Sequence, residues 1–82
     1  MLRILGSILC PDCIRCCREL KEAKVEFTYC DFADDLLYLK EFLKIRDSSS
    51  VFDEIRSDGK IGIPCIIRDD GTYTLDWDEF LK

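Results

Sequence analysis

The sequence contains no histidine. That absence removes Cys-His catalytic pairs, mixed Cys/His zinc sites and every imidazole general base from the chemistry open to this chain. Long hydrophobic runs are missing too. No apolar stretch approaches the roughly 18 residues that a membrane-spanning helix needs. The short run from Ile4 to Leu9 does not lead to a small-residue cleavage site, so the expectation is no signal peptide and a cytoplasmic, reducing setting. Clustered positive charge is also lacking: 12 Lys and Arg are scattered among 17 Asp and Glu, for a net charge of −5. A nucleic-acid binder needs its basic residues gathered on one face, so this balance describes a solvated acidic surface. Neither a membrane nor a nucleic acid is an expected partner.

What is present is a chain of 82 residues with 48% hydrophobic side chains and six cysteines. That length suits one domain, residues 1–82, expected to be monomeric, with a modest core. Six cysteines in a secreted chain of this size would suggest a disulfide framework. Here Cys10, Cys13, Cys16 and Cys17 crowd into eight residues and leave Cys30 and Cys65 far away. Such clustering suits thiol chemistry or metal binding better than three bridges.

Local patterns give an element order. Leu2 to Ile8 reads as a buried strand. From Pro11 a helical pattern follows, with Cys13, Cys17 and Leu20 at i, i+4, i+7 and Cys16 beside them, and Pro11 fits a first helical position. Glu26–Asp31 alternates and reads as a second strand. A helix opening at Asp34 or Asp35 would turn Leu36, Leu39 and Leu43 to one face with Phe42 beside it, and a short helical piece would reach Ile55 after the Asp47–Ser50 break. Ile61–Ile67 reads as a third strand with Pro64 inside it. Asp70-Gly71 makes a hairpin turn into Tyr73–Leu75. Asp76 would start a last helix, with Glu79 completing a capping box. The order β-α-β-α-β-β-α predicts an α/β fold with a four-stranded mixed sheet and helices on both faces.

Cys10-Pro11-Asp12-Cys13 lies at the predicted strand-to-helix junction. Unpaired amide N–H groups and the positive dipole end favour a thiolate at such a place, and the thiolate is the attacking species in disulfide exchange. Cys13, one turn inward, is placed to resolve a mixed disulfide. Asp12 opposes the thiolate, and Arg15 and Arg18 offset it if they lean toward the site. Gly62-Ile63-Pro64-Cys65 sets a proline in an otherwise strong strand. A cis Ile63–Pro64 bond would turn the Ile63 backbone toward the dithiol, where it can pair with an extended substrate.

Together these residues resemble the glutaredoxins of the thioredoxin superfamily over nearly the whole chain. Cys10-Pro11-Asp12-Cys13-Ile14-Arg15 is similar to the dithiol pattern Cys-Pro-Tyr-Cys-x-Arg, and Ile63-Pro64 to the family's Val-Pro pair. The resemblance implies a thioredoxin-like fold, Cys10 as nucleophile and Cys13 as resolving thiol. It further implies substrate-binding positions at Pro11, Asp12, Ile63, Pro64, Leu75 and Asp76, and no resident metal or bound cofactor. The activity implied is reduction of protein or low-molecular-weight disulfides, with glutathione or a flavoprotein reductase supplying electrons. Departures from the pattern are Asp12 for the aromatic residue, no Lys shortly before Cys10, Gly62 for Thr, and Thr74-Leu75-Asp76 in place of a glycine pair. Lys44 or Arg46 would meet a glutathione carboxylate or simply sit solvated at a helix end. Two other classes stay open at this level: a zinc or iron–sulfur site built from Cys10, Cys13 and Cys16 with a fourth thiolate, and a non-catalytic interaction module.

Overall fold

The computed structural model describes residues 1–81. Strand β1 (Leu2–Gly6) is central. It pairs in parallel with β2 (Phe27–Asp31) and antiparallel with β3 (Cys65–Ile67), which carries β4 (Tyr73–Thr74) antiparallel on its far side, so the order is β2-β1-β3-β4. Helix α1 (Pro11–Glu22) follows β1, and α2 (Leu36–Ser48) follows β2. A 3-10 turn at Ser50–Phe52 leads into the short α3 (Asp53–Ser57), and a second one at Trp77–Phe80 closes the fold.

Successive residues of a strand point to opposite faces, and here both faces are covered. That is why Ile4 and Leu5, adjacent in sequence, are both fully buried. Leu2, Ile4 and Ile66 pack with Cys16 and Leu20 of α1 and with Trp77. Leu5, Cys30 and Cys65 pack on the other face with Phe42 and Ile45 of α2 and with Phe52. The expected mixed four-stranded sheet with helices on both faces is therefore present.

Several expectations need correction. Strand β1 ends at Gly6 rather than Ile8, because the Asp31 carboxylate draws the chain aside: it accepts the Ile8 N–H at 3.0 Å and the Ala33 N–H at 2.8 Å. The third strand starts at Cys65, not Ile61. Residues 61–64 run outside the ladder, with Gly62 at φ +93 and a cis Ile63–Pro64 bond, and a proline has no N–H to give a ladder. Pro64 thus precedes the strand instead of interrupting it. The final helix is a single 3-10 turn. Asp76 caps it by accepting the Asp78 N–H at 3.0 Å, but Glu79 closes no capping box and pairs instead with Arg68 at 2.8 Å.

Helix α2 is rotated from the expected face. Phe42 and Ile45 are buried and Tyr38 and Leu39 pack beside them, whereas Leu36 and Leu43 are exposed. A forked pair accompanies that rotation: the Arg3 guanidinium on β1 donates to both Glu41 oxygens, at 2.8 and 2.9 Å. The hydrogen bonds from Arg3 hold the Glu41 carboxyl below the usual range. Phe42 then meets Phe32 and Phe52 at centroid separations of 5.4 and 5.8 Å, the second edge-to-face. On α1 the buried positions are Cys13, Cys16 and Leu20, while Cys17 is half-buried.

Candidate active site

Cys10 occupies the N-cap of α1 with extended backbone, and Pro11 is the first helical residue. The Cys10 N–H donates to the Ser7 carbonyl at 3.0 Å, and the Cys10 carbonyl accepts the Cys13 and Ile14 N–H groups at 3.1 and 3.2 Å. The Ser7–Leu9 turn that leads into Cys10 is held from below by buried Asp31. Cys10 is partly exposed, whereas Cys13, one turn on, is fully buried. Burial pushes the Cys13 thiol well above its ordinary value, and the Cys10 side chain adds to the rise.

Cys10 opens onto a cleft of about 470 Å³. Asp12 borders it from α1, Ile55 and the 59–62 segment from the opposite lip, Ile63, Pro64 and Trp77 from the floor, and Leu75 from the edge. Of the residues expected to bind substrate, Asp12, Ile63, Pro64 and Leu75 thus meet at Cys10. Two do not line this cleft. Pro11 acts as the first residue of α1. Asp76 caps the last turn and borders a neighbouring groove with Arg15, Glu19 and Asp78.

The far lip is tied down by arginines. Arg46 Nε donates to the Ile61 carbonyl at 2.9 Å, and its Nη2 donates to that of Lys60. Arg56 donates to the Arg46 and Ser49 carbonyls and to Asp53. Arg46 is therefore neither a solvated helix end nor free for a ligand carboxylate. On the other side Arg15 does lean toward the site. It lies 3.6 Å from the Asp12 carboxylate and stacks 5.0 Å from the Trp77 ring centre, while Trp77 Nε1 donates to Glu19 at 2.9 Å.

Gly62 has a structural reason to be glycine. A Cβ there would lie 2.7 Å from the Phe52 ring and 3.0 Å from Ile55, at a φ that L-residues rarely adopt. Gly59 also has positive φ, yet nothing lies within 4 Å of its Cβ position. Gly62→Ala is expected to lose about 2–3 kcal/mol of stability through strain and overpacking, and Gly59→Ala about 1 kcal/mol through strain alone. Urea midpoints of the two variants check the difference.

The other thiols divide cleanly. Cys16 lies in the α1-side core, and burial pushes it up to about 12. Cys65, directly after the cis proline, faces α2, so the sheet separates it from the dithiol; burial pushes it too up to about 12. Cys30 and Cys65 both pair with Leu5 from opposite sides. Two strand spacings of about 4.8 Å place them about 10 Å apart, beyond the reach of a disulfide. Among the described residues, no three Cys, Asp or Glu side chains converge as a metal site. No helix among them is long and apolar enough to cross a membrane.

A protein of Haemophilus influenzae, named only as uncharacterized, is 34% identical over 67 residues, covering 82% of this chain and 78% of the relative. The chain belongs to that protein's family. No family model matches the chain. No solved structure matches it either.

Sequence reasoning missed four kinds of residue at the site of this family member. Trp77 was legible only as an aromatic at the end of the chain, yet it forms part of the cleft. Ile61 reads as the start of a strand and Lys60 carries no signal, yet both lie on the lip. Asp31 carried a signal of sorts, a carboxylate at the end of a buried strand, but its role depends on the loop it receives. Gly6 and Tyr29 had none: they matter because both lie beside Cys13.

Proposed function

We infer that this protein is a dithiol thiol–disulfide oxidoreductase of glutaredoxin-like kind, built on a thioredoxin-like arrangement and working in the reducing cytoplasm. One observation carries the reading: an accessible Cys10 at a helix N-terminus opens onto a cleft floored by Ile63-Pro64, with the buried Cys13 thiol one turn behind it. The Cys10 thiolate attacks one sulfur of a substrate disulfide, and the first substrate thiolate leaves and takes up a proton. Cys13 then loses its proton, attacks Cys10 Sγ and expels the second thiol. A Cys10–Cys13 disulfide remains, and glutathione or a flavoprotein reductase returns the two electrons.

The cleft suits an apolar, extended segment better than a small polyanion. Asp12 and Lys60 are its charged lining residues, and Ile61 and Leu75 present apolar surface at its edge. With Arg46 committed to backbone carbonyls, Lys60 is the cation on the lip. A protein disulfide is therefore the substrate favoured here, with reductant identity read by supplying each donor in turn.

The reading is tested by trapping. Cys13→Ser, offered a disulfide substrate, is expected to accumulate a mixed disulfide at Cys10 that intact-mass and peptide mass measurements locate. An adduct on another cysteine, or none, sinks the proposal.

A further inference from the structure

Of the described buried side-chain oxygens and nitrogens that are not on exposed residues, the Tyr29 hydroxyl is the one with no hydrogen-bond partner. A buried unpaired hydroxyl costs about 1–3 kcal/mol, so its persistence calls for a reason. Its position supplies one. Tyr29 stands on β2 opposite Ile4 of β1, and its side chain carries the hydroxyl toward Gly6, two residues on. A Cβ on Gly6 would lie 2.7 Å from Cys13 Sγ and 3.5 Å from the Tyr29 hydroxyl, so the two atoms lie within about 6 Å of each other. Both residues also border a cavity of about 520 Å³ between α1 and β2. The Asp31 carboxylate accepts the Ile8 and Ala33 N–H groups and acts on the Tyr29 hydroxyl by charge and as a weak acceptor, but the hydroxyl does not reach hydrogen-bond geometry with it.

We propose that Tyr29 is a third functional residue of the dithiol site, whose hydroxyl, unpaired in the resting state, donates a hydrogen bond to the Cys13 sulfur when that sulfur becomes a thiolate. The inference rests on the dithiol reading. Burial is the main reason that the Tyr29 hydroxyl stays protonated, with Cys13 and Asp31 adding to it, so it remains a donor throughout the neutral range. Cys13 has few other sources of support. Burial opposes its ionisation, Cys10 and Cys16 oppose it by charge, and the Ser7 backbone N–H helps. Cys17 and Asp31 are the other acidic groups close to Tyr29, and Arg18 and Lys21 border the cavity. Gly6 completes the arrangement, because a side chain there would occupy the space that Cys13 Sγ now uses.

Oxidation by dithiodipyridine separates the two steps. Cys10 attacks the reagent, breaks its S–S bond and releases one thiopyridone. Cys13 then gives up its proton to solvent and attacks Cys10 Sγ. The Cys10–pyridyl disulfide breaks as the Cys10–Cys13 bond forms, and a second thiopyridone departs with the electron pair. In a Cys17→Ala background, Tyr29→Phe is expected to leave the first release unchanged. It should slow the second about tenfold throughout about pH 6 to 8.5, where the fold is stable. A fluorotyrosine at position 29, which keeps the hydroxyl as a stronger donor, should restore the second release. The unchanged first release serves as the folding control. If Tyr29→Phe leaves the rate of the second release unchanged, the inference is overturned. If Tyr29-containing protein releases only one thiopyridone, the dithiol reading itself fails, and the inference with it.

Discussion

Cys10→Ser is expected to abolish disulfide reduction, a loss of roughly a thousandfold or more, because a serine hydroxyl stays protonated at neutral pH and does not displace sulfur from a disulfide. The same substitution at Cys13 should behave differently. Cys10 is the accessible thiol of the pair, and Cys13 is shut away behind it. Cys13→Ser should therefore retain the first attack and lose turnover only where the second thiol is needed. Cys17→Ala should retain both steps. Cys17 lies further along α1 and borders the α1–β2 cavity, away from the cleft onto which Cys10 opens. Rates of substrate thiol release for the three variants, measured with a protein disulfide and an excess of reductant, distinguish them. Full activity in Cys10→Ser would move the chemistry elsewhere in the molecule.

Alkaline pH should unfold this protein well before its lysines and arginines discharge. Cys16 and Cys65 are both pushed up by burial to about 12 from an ordinary 9.0, and Cys13 is raised for the same reason. A thiol whose folded value is raised contributes stability that is fully present below the unfolded value and is lost as pH climbs toward the folded one. The window runs from about pH 9 to about pH 12 for Cys16 and Cys65. Each thiol then costs about 1.4 kcal/mol per pH unit, so the three together remove about 4 kcal/mol by pH 10. That is a large share of the stability of a chain this small. Urea midpoints should hold steady from pH 7 to 8.5 and fall steeply above pH 9. Cys16→Ala should be less stable at pH 7, from the cavity it leaves, but should show a shallower alkaline fall. An unchanged midpoint at pH 10 would mean that these thiols are not buried as described.

The parts of the fold that were legible in the sequence depend on neighbours within a few residues. Pro11 beside Cys10 marked the start of α1 because proline suits a first helical position. Asp35 and Asp76 read as caps for a similarly local reason, and both side chains do cap. Asp70-Gly71 marked the hairpin between β3 and β4. The cis Ile63–Pro64 bond was anticipated and is present. The errors fall where a second element decides. The face of α2 differs from the expected one because five leucine and phenylalanine positions compete for it, and the choice depends on the partners that Phe42 and Ile45 find in Leu5, Cys30 and Phe52. The third strand was drawn too long because hydrophobicity does not reveal that Gly62 must lie against Phe52.

The sequence by itself determined the candidate chemistry and the order of elements. A pair of cysteines with two residues between them, one a proline, and the absence of histidine are statements about composition and spacing, and short-range sterics turn them into a helix that begins at a thiol. Tertiary structure alone decided which thiols are exposed and which are buried. Cys13 is buried because α1 packs over Gly6, Cys65 is cut off because it faces α2, and Tyr29 lies beside Cys13 because β2 runs parallel to β1 in a particular register. Each of those facts depends on segments far apart in the chain meeting at close range, and the free energy of that meeting is spread over the whole core rather than written in any local pattern.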